Sequence, residues 1–318
     1  MGFDGMQIAR DAGMEIDLLA NPEAVLPDEL TFIMLHKAVK ISGKPDFGLQ
    51  AANIFRPSAF GAMGYSMMSA PTLKDSLIRS TRYTGSVTQA SSSKLAPVAG
   101  GAQFEIIQPL PIPLVADFEQ TYEFLTLLLL NFLRWTIGFD IKPQRVEFIH
   151  KTPSYLSSHA QFFGCPVYFN TGHTTLVFSD EQLALPLITA DAIMAVIHDR
   201  HAEQRVTQLG SSPITRQTRR LITQMLSEGE PTRQKIAALL KLNEKTLQRR
   251  LLEESASFND LLDEIRCSLA EMYLANTNIT LLETGSLLGY SEQSSFNRAV
   301  RRWFGCSPGE MRMRLCAG

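Results

Sequence analysis

The chain has 318 residues, 45% apolar and 19% charged, a balance that excludes a fibrous or largely disordered protein and exceeds the length of a usual single core. The formal charge of -2 excludes a uniformly basic nucleic-acid coat. Counted by halves, however, residues 1–210 hold 15 Lys and Arg against 20 Asp and Glu, and residues 211–318 hold 15 against 12, so positive charge collects in the last third.

From the N-terminus, MGFDGMQIARDAGMEIDLL places acids where a signal peptide would have an apolar run, so export is not expected. Asp28 to Val39 carries Leu30, Ile33, Met34 and Ala38 at helical spacing, and Phe47 to Ile54 continues helically up to Pro57. Thr72 is placed to cap a helix running to Arg82 and beyond, with Leu73, Leu77 and Ile78 on one face. SSSKLAPVAGG (residues 91–101) reads as a polar interruption and turn, followed by a strand from Gln103 to Gln108. A long apolar helix is predicted from about Asp117 to Ile137. Its greasiest part, FLTLLLLNFLRWTIGF (124–139), contains Asn131 and Arg134 and is shorter than the roughly 20 clean apolar residues of a membrane span. Strands are predicted at Arg145 to His150, Val167 to Asn170 and Thr174 to Phe178, with a helix at Tyr155 to Phe163. The first domain, residues 1–210, therefore reads as α+β. HDRHAEQRVTQLGSSP, around residues 198–212, reads as a solvated linker whose break falls within Gln208 to Pro213.

Beyond that point the pattern changes to short capped helices. Ser257 with Asp260, Thr280 with Glu283 and Ser307 with Glu310 each set a hydroxyl three residues before an acid, the capping box that satisfies free N–H groups at a helix start. Residues 211–318 therefore read as an all-α domain. Phe258, Leu261, Leu262, Ile265, Leu269, Met272 and Tyr273 form the apolar stripe of one long helix. On either side of it lie two similar segments, TRQKIAALLKLNEKTLQRRLLEE (232–254) and TLLETGSLLGYSEQSSFNRAVRRWFGCSPG (280–309). Each reads as helix, tight turn, second helix: the layout of a helix-turn-helix.

In the first segment Ile236, Ala237 and Leu240 suit burial, Asn243 caps the second helix, and Leu247 and Leu251 point inward. Lys245, Gln248 and Arg249 then face outward where base edges are met, with Arg250 placed for a phosphate. In the second, Ser291 is the expected cap, Phe296 and Val300 turn inward, and Gln293, Ser294, Ser295, Asn297 and Arg298 face outward. Gln pairs with adenine and Arg with guanine through two hydrogen bonds, so Gln248, Arg249, Gln293 and Arg298 are the sharpest candidates. Arg301 and Arg302, further along, suit phosphate contacts. Glu244 and Glu292 read better as favourable charge at a helix N-terminus than as cytosine readers, and Tyr290, Trp303 and Phe304 as core. One such pair could be an ordinary solvated helical hairpin. Two on a rigid connector, about 34 Å apart, could enter successive major grooves.

LGYSEQSSFNRAVRRWFGCSP (288–308) and LKLNEKTLQRRLLEE (240–254) resemble the signature segments of AraC/XylS-type transcription regulators, a similarity that covers about Ile214 to Leu315. The resemblance implies a seven-helix DNA-binding domain with base-contacting positions at Lys245, Gln248, Arg249, Gln293, Ser294, Ser295 and Arg298. Thr284-Gly285 departs from the family's aliphatic residue and alanine, and is expected to loosen the supporting helix, Gly costing about 1 kcal/mol against Ala. KPDFGLQAA (44–52), FGAMGYSMMSAPTLKDSLIRSTRY (60–83) and CPVYFNTGHTTLVFSDEQLALPL (165–187) are similar to the arabinose-binding-type sensor domain of a subgroup. That implies an effector-sensing and dimerising N-terminal domain in a bacterial, ligand-responsive activator of amino-acid catabolism, stress or virulence genes. The expected partners are double-stranded promoter DNA, a small-molecule effector, RNA polymerase and a second copy of the chain, with no membrane and no cofactor.

Other chemistries find little support. Cys165, Cys267, Cys306 and Cys316 lack CxxC spacing, which argues against a zinc knuckle or disulfide framework and fits a reducing cytoplasm. His198 and His201 are three apart but sit among Asp199, Arg200 and Glu203, without the further ligands a metal needs. Cys165 with His159 or His173 could mimic a thiol nucleophile and base, but a small buried thiol is the simpler reading. It lies in Gly-Cys-Pro, not in the Pro-Cys-His of alkyl-transfer repair enzymes. With no Gly-rich phosphate loop or paired carboxylates, no enzyme is expected. The alternative that remains is a DNA-binding regulator without a ligand, its first domain acting in dimerisation or protein contact.

Overall fold

A computed structural model describes residues 5–11, 28–54, 57–87, 91–107, 119–210, 214–226, 229–275, 277 and 279–317. They form two compact units that part between Leu209 and Gly210.

The N-terminal unit starts with helices α1 (Gly5–Asp11), α2 (Asp28–Ser42), α3 (Phe47–Ala52), α4 (Gly61–Met68) and α5 (Leu73–Tyr83). As expected, the Thr72 side chain caps α5 by accepting from the Asp75 amide at 3.2 Å. Leu73 and Leu77 are buried as predicted, but Ile78 is exposed, because the buried stripe runs through Ser76, Leu77 and Ser80 instead. Strands β1 (Ser92–Val98) and β2 (Gly101–Ile107) follow. The polar interruption expected at 91–101 is thus largely a strand. Among the described residues β1 lies at the sheet edge and pairs only with β2, where polar residues face water and Pro97 is tolerated.

The rest of this unit comprises α6 (Glu119–Ile137), β3 (Arg145–Glu147), α7 (Leu156–Phe163), β4 (Val167–Tyr168), β5 (Thr175–Ser179), α8 (Asp180–Leu183) and α9 (Ala192–Gly210). The sheet order is β1-β2-β5-β3-β4, antiparallel except for β3 with β4. β3 and β4 are shorter than predicted. The chain bends away after Glu147, yet Phe148 and Asn170 stay tied by backbone bonds to Tyr168 and His150. Gln108, Asp117 and the linker residues 211–213 lie outside the described residues.

α6 is the core helix the sequence predicts. Leu127, Leu130, Phe132 and Leu133 are buried on it, against Phe104, Phe148, Phe163 and Phe178. Its two polar interruptions are fasteners. Asn131 donates to the Ala52 carbonyl, and Arg134 donates to the Phe162 and Phe163 carbonyls at 2.9 and 3.0 Å, placing a cation on the negative C-terminal end of α7. No helix of the described residues is long and apolar enough to cross a membrane.

The stretch expected as a solvated linker is instead α9, held to its own unit by polar contacts. His198 Nδ1 lies 2.5 Å from the Ser69 hydroxyl, Asp199 pairs with Arg79 at 3.1 Å and bonds Ser66, and Tyr83 donates to Glu203 at 3.3 Å. Patterning alone misread these polar residues because their partners lie more than a hundred positions away.

The C-terminal unit contains seven helices among the described residues: α10 (Ile214–Met225), α11 (Arg233–Leu239), α12 (Glu244–Glu253), α13 (Phe258–Ala275), α14 (Leu281–Leu287), α15 (Gln293–Phe304) and α16 (Pro308–Ala317). The three hydroxyl–acid caps form as read, with Asp260, Glu283 and Glu310 amides donating to Ser257, Thr280 and Ser307. Every residue of the predicted stripe on α13 is buried.

Candidate nucleic-acid interface

Two helix pairs flank α13, and their turns are built alike. In the first, Lys241 N–H donates to Ala238 O at 3.0 Å and Leu242 N–H to Ala237 O at 2.8 Å; in the second, Gly289 donates to Ser286 O at 2.9 Å and Tyr290 to Gly285 O at 3.0 Å. These are paired C-terminal closures that satisfy the last carbonyls of α11 and α14. They require a left-handed residue, Lys241 at φ 55° and Gly289 at φ 70°. At Gly289 a Cβ would also come within 2.9 Å of the Gly229 carbonyl, so glycine is needed twice over.

Superposing the two units by these contacts gives an offset of 48 positions across the supporting helices (Thr232 with Thr280, Lys241 with Gly289) and 49 across the second helices (Leu247 with Phe296, Leu251 with Val300). The second turn is one residue longer. That corrects the expected cap: Asn243 caps α12 by accepting from Thr246 N–H at 2.8 Å, but Ser291 lies outside α15, whose N-cap position is held by Glu292 without a side-chain bond. By the same offset Lys245 matches Ser294, Gln248 matches Asn297, and Arg249 matches Arg298.

The inward residues are buried as read, Ile236, Ala237, Leu247 and Leu251 in the first unit and Phe296 and Val300 in the second, except Leu240, which at the C-terminal end of α11 is only half-buried. Lys245, Gln248, Arg249 and Arg250 are exposed on α12, and Ser294, Arg298, Arg301 and Arg302 on α15, while Ser295 and Asn297 are half-exposed. Arg249 pairs with Glu253 at 2.5 Å, and Arg298 donates to Ser295 Oγ at 3.1 Å. Arg302 pairs with Asp263 of α13, which also accepts from Trp303 Nε1 at 3.0 Å. Gln293 is half-buried, with its amide nitrogen 3.2 Å from the Leu281 carbonyl at the start of α14. Its counterpart Glu244 makes the equivalent link, to Arg233 at the start of α11, at 3.1 Å. Both therefore brace the second helix against the first. Tyr290, Trp303 and Phe304 are half-buried.

Thr284-Gly285 occupies the place of Ile236-Ala237 in the first unit. Thr284 is fully buried, and its hydroxyl donates to the Thr280 carbonyl at 2.9 Å. A Cβ on Gly285 would lie 3.3 Å from Phe296 Cγ and 3.0 Å from Gln293 Oε1. The expected loosening is thus better described as a volume exchange, Gly with Phe in the second unit against Ala with Leu in the first.

Arg266 on α13 escaped the sequence reading, which treated that helix as an apolar stripe. Only 7% exposed, it donates to the carbonyls of Leu288 and Gly289 at 2.8 and 3.0 Å and lies 4.2 Å from the Tyr290 ring centroid. It joins the connector to the second turn, and caps the negative end of α14. A charge recurring on the buried side of an amphipathic helix was the available signal.

In the N-terminal unit a second polar group is fully enclosed. Glu123 accepts from Tyr155 at 3.1 Å and lies 2.6 Å from His159 Nε2, and His150 Nε2 lies 3.6 Å away. Burial raises the Glu123 carboxyl against the opposing pull of His159 and Tyr155, and lowers His150 to about 4. Phe148, Phe163 and Phe169 wall the group. Cys165 is half-buried and its thiol is pushed up to about 11 by burial, the opposite of an activated nucleophile.

A seven-helix unit carrying two helix-turn-helix pairs on one connecting helix defines a DNA-binding regulator of transcription. Residues 2–187 match the arabinose-binding domain of AraC transcription regulators and residues 236–314 a helix-turn-helix domain; the chain belongs to the AraC family. It is 25% identical to the ornithine utilization regulator of Pseudomonas aeruginosa, over 88% of this chain and 82% of that one. It is 30% identical to the HTH-type transcriptional regulator VirS of Mycobacterium tuberculosis, over 84% and 78%. The crystal structure of the transcriptional regulator CdpR from Pseudomonas aeruginosa aligns over 98% of this chain and 99% of its own, at 21% identity and a TM-score of 0.47.

Proposed function

We propose that the protein is a cytoplasmic, effector-responsive activator that binds promoter DNA as a homodimer and contacts RNA polymerase. Residues 1–210 act in sensing and dimerisation, and residues 211–318 read the operator. The observation that carries the reading is the duplicated turn, which aims two matched polar faces outward. Lys245, Gln248 and Arg249 on α12, and Ser294, Ser295, Asn297 and Arg298 on α15, read base edges. Gln293 does so only after releasing the Leu281 carbonyl, so its contribution is mainly to brace α15. Arg250, Arg301 and Arg302 bind phosphates, Arg302 exchanging Asp263 for the DNA backbone.

The test is binding of full-length variants to the protein's own promoter and to a set of single-base substitutions. Arg298→Ala should lose about 1–3 kcal/mol of discrimination at one base position, whereas Arg302→Ala should weaken all sequences alike and lower the salt slope by about one. Equal losses on random DNA for both variants would overturn the sorting. For the effector, thermal unfolding is followed with amino acids and polyamines first, because one relative is named for ornithine utilization, then with sugars and fatty acids. A ligand at 100 times its dissociation constant adds about 2.7 kcal/mol; absence of any shift would leave the N-terminal domain as an interaction module.

A further inference from the structure

The two helix pairs differ where the second helix starts against the first, and the difference turns one polar side chain away from the exposed face of α15. In the first unit Ala237 is buried, and Glu244 at the start of α12 meets the Arg233 guanidinium at 3.1 Å with both side chains still 43% exposed. In the second unit the counterparts of Arg233 and Ala237 are Leu281 and Gly285. Leu281 has no polar side chain to offer, so Gln293 reaches its main-chain carbonyl instead, Nε2 donating at 3.2 Å. That reach brings the amide over Gly285. A Cβ at that position would stand 3.0 Å from Gln293 Oε1, tighter than ordinary van der Waals contact. Glycine weakens a helix interior relative to alanine, and one set in the middle of α14 usually answers to packing or function. The space taken by the Gln293 amide is such a reason.

We infer that Gly285 determines the base preference of the second unit without touching DNA: by making room for the Gln293 amide, it withdraws from α15 a side chain that would otherwise read adenine. The inference rests on the reading above that α15 meets base edges, and it adds a residue that governs them. Pairing with adenine requires Oε1 to accept from the base N6–H and Nε2 to donate to N7. Here Nε2 is engaged by the Leu281 carbonyl and lies 3.5 Å from Asn297 Oδ1, while Oε1 is turned toward Gly285. Both ends of the amide are thus occupied on the protein side, and readout by α15 passes to its remaining polar residues. A methyl group at 285 would meet two neighbours, the Phe296 ring at 3.3 Å and the Gln293 amide at 3.0 Å. Phe296 is fully buried and has nowhere to go. The amide is the far end of a flexible side chain on a half-exposed residue, so it is the group that yields, outward onto the exposed face.

Binding of full-length variants to the promoter and its single-base substitutions, at one salt concentration, tests this. Gln293→Ala loses only the brace and is expected to weaken all sequences alike. Gly285→Ala/Phe296→Leu rebuilds the Ala–Leu pairing of the first unit, where residue 244 stays exposed, and is expected to gain at least about fivefold preference for adenine at one position. Gln293→Ala placed in that background should abolish the gain. Gly285→Ala alone gives the same readout should the double variant not fold. Loss of preference at a single base in Gln293→Ala would show that the amide already reads DNA and would overturn the inference. So would base preferences in the Gly285 variants that match wild type, with affinity unchanged or uniformly lowered, the result of a purely structural glycine. Arg298→Ala on the same panel keeps the two claims apart: a loss confined to one base upholds the reading by α15 whichever way Gly285 falls, and equal losses at every position would remove both.

Discussion

Replacing Arg266 by Met removes a charge while keeping most of the stem volume, and its cost follows from the contacts. Two hydrogen bonds to the Leu288 and Gly289 carbonyls disappear, each worth about 1.5–3 kcal/mol when the donor is charged, together with about 1 kcal/mol or more of attraction to the Tyr290 ring. The Glu230 carboxylate at 3.5 Å is mostly exposed and adds little. Against this, the variant no longer has to desolvate a guanidinium. Breaking such a buried charged contact has a net cost of about 3–5 kcal/mol, a large part of the roughly 5–15 kcal/mol that holds a domain. The lower end is expected here, about 3 kcal/mol, because Met still fills the space. Arg266→Lys should lose about half as much, since an ammonium cannot fork between two carbonyls and also lie flat on a ring. Urea unfolding in a Trp135→Phe background makes Trp303, in the C-terminal unit, the sole tryptophan reporter. A Met variant within 1 kcal/mol of its parent, or a Lys variant equal to it, would show that Arg266 does not hold the second turn.

Three further outcomes are expected. Lys241→Gly should raise the stability of the C-terminal unit by about 0.5–1 kcal/mol, because the left-handed backbone there strains a residue with a Cβ; an unchanged or lower urea midpoint refutes this. Gly285→Ala and Phe296→Leu should each destabilise alone, yet together recreate the Ala–Leu pairing of the first unit. Their double-mutant cycle should show a favourable coupling of at least about 0.5 kcal/mol, and strict additivity would dismiss the volume exchange. His150, held near 4 when folded, takes up its proton more readily in the unfolded chain, so its contribution is complete above about pH 6.5 and is lost as pH falls toward 4, by up to about 3 kcal/mol. Glu123, shifted upward, works in the opposite sense, favouring the fold at low pH and losing that contribution as pH rises through its folded value. The comparison is therefore between wild type and His150→Gln, followed by unfolding midpoints from pH 7 to 4; parallel curves would exclude the histidine as the source.

Most of the helical unit was readable because its signals are local. Caps such as Thr280 with Glu283, the stripe from Phe258 to Tyr273 and the paired turns are each complete within a few residues of sequence. Ser291 was misplaced for a reason of the same scale: a one-residue extension of a loop changes which residue stands at a helix start without altering the pattern around it. What escaped depends on distant partners. β1 becomes a strand through its pairing with β2 at the sheet edge, α9 is fixed by Ser66, Ser69, Arg79 and Tyr83, and Arg266 acquires its role only where the turn after α14 comes to rest on α13. Exposure of the polar faces of α12 and α15 followed from helical period. The engagement of Gln293 with Leu281 did not, since it needs the crossing of two helices.

The unequal offsets of the two helix pairs bear on any attempt to exchange their specificities. Residues swapped by aligning the supporting helices would land one position out of step, moving each graft by about 100° around its helix and aiming half of it at the interior. A chimera that follows the second helices instead, carrying Gln248 to 297 and Arg249 to 298, keeps every transplanted side chain on the solvent side and leaves the brace at 293 in place.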